Sequence, residues 1–141
     1  METKKTSKII KLLDLKPFEI NQKQKNKIFK DAMQESLKYH YENSKEFKQI
    51  CDNHEFNVEE KFQLEEIPYI PVSIFKKFDL LSIPKENIFK TIFSSATTSK
   101  TPSKIFLDRI TSERQTKALV SIITDFLHEK MNFLILSNYK I

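Results

Sequence analysis

The chain has 141 residues and not one of them is glycine. A chain of this length ordinarily carries about ten. Glycine supplies positive φ at helix ends and tight turns, so other residues must occupy those positions. Asn53, Asn132 and Asn138 stand where such turns are expected. A single cysteine, Cys51, excludes an intrachain disulfide and a cysteine-based metal site. The three histidines, His40, His54 and His128, lie too far apart for metal-ligand spacing. No apolar run approaches the roughly 18 residues that a membrane-spanning helix needs. The basic N-terminus, METKKTSKIIKLLDLK, is too interrupted to read as a signal peptide. These absences lead to the expectation of a cytoplasmic protein with no membrane span.

What is present fits one ordinary domain with a real core. Hydrophobic residues make up 39% and charged residues 30%. Lys and Arg number 24 against 19 Asp and Glu, a net charge of +5. That balance raises nucleic-acid binding through the Lys-rich helix at 22–38. Acids interleave with the lysines there and no aromatic platform accompanies them, so a solvated helix face is the better reading and no nucleic acid is expected.

Ile9, Ile10, Leu12 and Leu13 predict a short helix ended near Pro17. Asn21 opens a long one, with Ile28, Phe29, Ala32, Met33, Ser36, Leu37 and His40 on one face. Asn43 reads as the next N-cap, with Glu46 three positions on and Phe47, Ile50 and Cys51 facing inward. Cys51 is expected to act as a small buried hydrophobe, and His40 as a packed histidine. Residues 56–87 are a proline-cut connection. In it Ile67–Pro71 is extended, and Val72–Phe78 forms a turn that points Phe75 and Phe78 inward.

A hairpin follows. Ile88–Phe93 and Lys104–Leu107 flank a Ser/Thr-rich loop, with Phe89 and Phe93 as further core candidates. Hydroxyls and backbone N–H groups in such a loop can wrap a phosphate, and Lys100 and Lys104 add positive charge. The competing reading is a solvated polar turn. Thr111 is expected to cap the next helix, with Glu113 in its first turn, and Asp108 to cap or turn the chain into it. Ala118, Leu119, Ile122, Ile123, Phe126 and Leu127 give that helix an apolar stripe. The run Asn132–Ser137 reads as a strand buried on both faces.

The predicted fold is therefore α/β. A helical layer (1–55) and the connection (56–87) lead to a hairpin with a phosphate-type loop, a helix and a buried strand (88–141). The sheet begins just as the chain stops, so the expectation is a fragment or truncated form. The alternative is a degenerate, non-catalytic or split-half domain, with a partner chain completing the sheet.

Two motifs carry a family resemblance. Ile67-Pro68-Tyr69-Ile70-Pro71-Val72-Ser73-Ile74-Phe75-Lys76 resembles the IPxIPVxxFK segment of the LuxE-type acyl-protein synthetases, relatives of the adenylate-forming ligases. Ser94-Ser95-Ala96-Thr97-Thr98-Ser99 resembles their SSGTTG phosphate loop. Pro102-Ser103-Lys104-Ile105, Leu107-Asp108, Arg114-Gln115 and Lys117-Ala118-Leu119 continue the register, and Leu37, His40 and Tyr41 resemble the upstream helix. The resemblance runs over residues 28–137, the N-terminal part of an adenylate-forming-ligase-like domain. It implies activation of a fatty acid with ATP and Mg²⁺ to an acyl-adenylate, transfer to a cysteine thiol, and a fatty acid reductase as partner. It also implies phosphate contacts from Ser94, Ser95, Thr97, Thr98 and Ser99, with Lys104 in reach. Ala96 and Ser99 stand where the family loop has glycines, Ser44 stands where another family cysteine is expected, and Cys51 does not match the acyl carrier.

Overall fold

The computed structural model describes residues 7–16, 18–94 and 101–127. Its helices are α1 (Lys8–Leu13), α2 (Gln22–Asn43), α3 (Lys45–Asn53), α4 (Ile74–Lys77) and α5 (Arg109–Leu127). Strands β1 (Lys90–Phe93) and β2 (Lys104–Leu107) form an antiparallel hairpin. Helices and this small sheet give the mixed α/β composition expected. The predicted strand at Asn132–Ser137, together with His128, Asn132 and Asn138, lies outside the described residues.

Local chemistry explains the helix boundaries. Asn21 caps α2, its side chain accepting from the Gln24 N–H at 3.0 Å. The N-terminus of α1 is capped from another element. Glu35 of α2 accepts from the Lys8 N–H at 2.7 Å and from the Ser7 hydroxyl. Burial pushes the Glu35 carboxyl up, but these donors, the Ile9 N–H and the Arg114 charge outweigh it and hold its pKa below the ordinary value.

One residue joins α2 to α3, and it is Ser44 rather than Asn43 that caps α3. Asn43 remains helical, with its amide donating to Tyr39 O at 2.8 Å. Ser44 has extended backbone, φ −125° and ψ 114°, and its Oγ accepts from the Phe47 N–H at 3.3 Å. Asn53 is an ordinary helical residue, and the positive φ falls on Glu55, at 52°. That turn lets the Phe56 N–H reach back to Cys51 O at 2.9 Å.

Leu37, Cys51 and Val58 form the core, with Tyr41, Phe47, Phe56, Phe62 and Ile67 packed around them. Cys51 is completely buried, and desolvation followed by the nearby Asp52 charge raises its thiol pKa. It therefore behaves as the small hydrophobe expected. Gln34 ties the 58–60 loop to α2 by donating to the Glu60 carbonyl at 3.2 Å.

Several aromatic positions differ from expectation. Phe75 is half-buried, whereas Phe78, Phe89 and Phe93 are exposed. Phe93 pairs with Lys104 at the open end of the hairpin. Phe89 instead lies under the Arg109 guanidinium, 4.4 Å from ring centroid to Cζ. The apolar stripe of α5 forms as a helix, yet no α5 residue is fully buried, and Leu119, Ile122 and Phe126 are exposed. Polar contacts anchor α5 to the turn after α1: Lys117 pairs with Asp14, and Asp125 accepts from the Phe18 N–H at 3.2 Å.

Candidate functional site

The hairpin mouth is the place to which the sequence pointed. β1 and β2 pair Lys90 with Leu107, Thr91 with Phe106, Ile92 with Ile105 and Phe93 with Lys104. The next residues, Ser94 and Ser103, close the mouth. The Ser94 N–H donates to Ser103 O at 3.1 Å. In return the Ser103 N–H donates to Ser94 Oγ at 2.9 Å, so a side chain replaces a backbone acceptor in the last rung. Ser95, Thr97, Thr98 and Ser99 lie outside the described residues, as do Ala96 and Lys100.

The two ends of the mouth differ in environment. Ser94 is exposed, whereas Ser103 is only 6% exposed. The Ser103 hydroxyl has no hydrogen-bond partner in the protein, the single such buried side-chain atom among the described residues. A buried hydroxyl without a partner is costly, which makes this one unusual. Lys104 begins β2 on the face shared with Phe93, Thr91 and Phe106. Its ammonium pairs with Asp79 Oδ1 at 3.0 Å. Asp79 follows α4, so this ion pair ties the proline-cut connection to the hairpin. Three residues on, Ser82 Oγ lies 2.7 Å from His40 Nδ1, and the Tyr39 hydroxyl donates to Ser82 O at 3.1 Å. The connection is thereby held between α2 and the sheet. His40 is exposed as a whole residue, but the rings of Tyr39 and Phe47 crowd its imidazole, and desolvation lowers its pKa.

Asp108 turns the chain from β2 into α5. Its Oδ1 accepts from the Thr111 N–H at 2.7 Å, so Asp108 is the cap and Thr111 lies inside the helix. The Thr111 hydroxyl, then the Thr111 N–H, hold the Asp108 carboxyl below its ordinary pKa.

Sequence reasoning missed Ser103, Asp79 and Ser82 as members of this network. Ser103 carried one usable signal, its position beside Lys104 and opposite Ser94. Asp79 and Ser82 carried none, because their contacts cross more than twenty residues.

Two cavities lie away from the mouth. An open depression of about 530 Å³ in the helical layer is lined by Tyr41, Lys38, Glu42, Asp52, Glu55 and Glu59 among others. Its carboxylates would repel a phosphate. A smaller cleft of about 210 Å³ between α1 and α5 is walled by Leu12, Leu13, Leu15, Ile20, Ala118 and Ile122, with Lys16, Lys25 and Ser121 also lining it. Among the described residues no three His, Cys, Asp or Glu side chains gather as a metal site, and no helix is long and apolar enough to cross a membrane.

Comparison with known proteins bears on this geometry. The family model described as acyl-protein synthetase, LuxE, matches residues 2–139. A Photorhabdus luminescens protein named long-chain-fatty-acid–luciferin-component ligase is 28% identical over 87 residues, which cover 62% of this chain and 73% of that protein. No solved structure matches significantly.

Proposed function

The chain belongs to the LuxE acyl-protein synthetase family, and from that membership we propose that it serves in the ATP-dependent activation of a fatty acid, with the hairpin mouth as its phosphate-contacting part. The observation that supports this most is the closure of the Ser/Thr run between two paired strands by Ser94 and Ser103. Such a mouth gathers hydroxyls and N–H groups where an anion can meet them. By residue type, Ser94, Ser95, Thr97, Thr98 and Ser99 would supply hydroxyls to a phosphate and Lys104 a cation. The buried Ser103 hydroxyl has no hydrogen-bond partner in the protein.

ATP, when bound, supplies the phosphoanhydride whose cleavage leaves an acyl-adenylate and pyrophosphate. The chain's own residues bind and orient it. Mg²⁺, when present, would arrive with the nucleotide's phosphates, which such ions bind together with one or two carboxylates. The apolar cleft between α1 and α5 has walls suited to an aliphatic chain. Transfer of the acyl group to a cysteine needs an exposed thiolate, and fully buried Cys51 is unsuited to that role.

Calorimetric titration with Mg·ATP tests the site. It should be run on the native chain and on a variant carrying Ala96→Gly and Ser99→Gly, which restores the family's loop glycines. We expect saturable binding, tighter in the glycine variant because the backbone can approach the phosphates more closely. Two folded proteins that both fail to bind would contradict the proposal.

A further inference from the structure

We propose that Ser82 is an acyl-accepting nucleophile with His40 as its general base, a second chemical site that lies apart from the hairpin mouth and does not depend on it. Its substrate class is an activated carboxylic acyl group, as in an ester or a thioester. The observation that carries the inference is the contact between Ser82 Oγ and His40 Nδ1, at 2.7 Å. A hydroxyl within hydrogen-bond reach of an imidazole nitrogen is the arrangement that turns a weak nucleophile into a reactive one.

Both partners are held in place. His40 lies in the last turn of α2, and its ring meets the rings of Tyr39 and Phe47 edge-on, with centroids 5.5 and 6.2 Å away. The Tyr39 hydroxyl donates to Ser82 O at 3.1 Å, so the residue beside the base pins the backbone of the nucleophile. Orientation of the imidazole thus comes from ring contacts rather than from a carboxylate. Desolvation lowers the His40 pKa, so the ring is neutral at neutral pH and Nδ1 is able to take a proton. As the imidazolium forms, the negative end of the α2 dipole favours it. The pair is also open to a substrate. His40 and Tyr39 are exposed, and Ser82 is half-buried in a bend between α4 and β1. The Tyr39 ring, 45% exposed, offers an apolar wall to an acyl chain.

Ser82 Oγ attacks the carbonyl carbon and forms an O–C bond, while the bond from that carbon to the leaving oxygen or sulfur breaks. The hydroxyl proton passes to His40 Nδ1 and then to the leaving group, which departs as an alcohol or thiol. Water or an acceptor thiol reverses the sequence. His40 takes its proton, its oxygen or sulfur bonds to the carbonyl carbon, and the Oγ–C bond breaks. The proton then returns to Ser82, and nothing is oxidised or reduced.

A contact that only ties the connection to α2 would leave Ser82 inert, and acylation separates the two readings. The full chain is mixed with p-nitrophenyl octanoate, release of p-nitrophenolate is followed, and the adduct is located by mass spectrometry of the digested protein. The expected result is a burst of about one equivalent, with the octanoyl ester on Ser82. Ser82→Ala abolishes that burst. His40→Asn keeps an amide beside Ser82 that cannot take up its proton, and it acylates about a hundredfold or more slowly. Its melting temperature stays within a few degrees of the native chain's. His40→Gln serves in its place where the asparagine variant does not fold. A native chain that carries no acyl group on Ser82 overturns the inference, and so does a folded His40 variant that reacts at the native rate. Neither result bears on the phosphate reading, which stands or falls by its own titration.

Discussion

At the scale of residues, the hairpin mouth is a set of groups with different degrees of commitment. Ser94 and Ser103 are locked to each other, and Lys104 is committed to Asp79. The Lys104–Asp79 pair is about half exposed on both sides, with side-chain exposures of 41% and 47%. A pair in that setting contributes little to stability, in the range of 0–1 kcal/mol, roughly. It does hold the lysine against a competing anion. Replacing Asp79 with Asn should therefore leave the urea midpoint almost unchanged and tighten Mg·ATP binding by up to about fivefold. Weaker binding in this variant would show instead that Asp79 positions the lysine for the nucleotide. At Cys51 the commitment is total, since its side chain sits with Leu37 and Val58 in the core.

At the scale of elements, the absence of glycine has a specific consequence. The left-handed turn after α3 falls on Glu55, φ 52°, where a side chain costs about 1–2 kcal/mol. Glycine would remove that strain but add backbone entropy to the unfolded chain, an offset of about 0.5–1 kcal/mol. Glu55→Gly should thus stabilise the protein by about 0.5–1 kcal/mol in chemical denaturation, and a destabilised variant would refute the strain argument. The cap of α5 gives a pH signature. The folded Asp108 pKa is held below its ordinary value of 3.8, so its contribution is fully present above that pH and is lost as pH falls through the folded value. Asp108→Ala should cost about 1 kcal/mol at neutral pH. The gap between native and variant melting temperatures should narrow on acidification below 3.8. A gap that widens would reverse the sign. The elements themselves were largely legible, because their signals are local: Asn21 caps α2, Leu37 lies inward, and the two short apolar runs pair as a hairpin. The cap at Ser44 was misplaced by one residue because Asn43 and Ser44 both favour such positions. Phe78, Phe89 and Phe93 were misread as core because hydrophobicity alone does not reveal which large apolar side chains the neighbouring elements cover. The burial of Ser103 was invisible for a similar reason, since it depends on what packs around the hairpin.

At the scale of the whole molecule, the hairpin is tied to its neighbours at both ends. The helical layer reaches the connection through Tyr39, His40 and Ser82, and the connection reaches β2 through Asp79 and Lys104. α5 departs from the same strand, capped by Asp108. At the mouth the support is the Lys104–Asp79 pair, and at the base it is the turn into α5. The acid-rimmed depression in the helical layer is one competing place for a ligand, and its charge disfavours an anion. Titrating Mg·ATP into the isotope-labelled chain and following the backbone amide resonances separates these directly. Saturable shifts at Ser94, Ser103 and Lys104, with little change at Tyr41, Asp52 and Glu59, are the predicted result. Binding whose shifts fall around the depression and leave the hairpin mouth silent would contradict a phosphate site there.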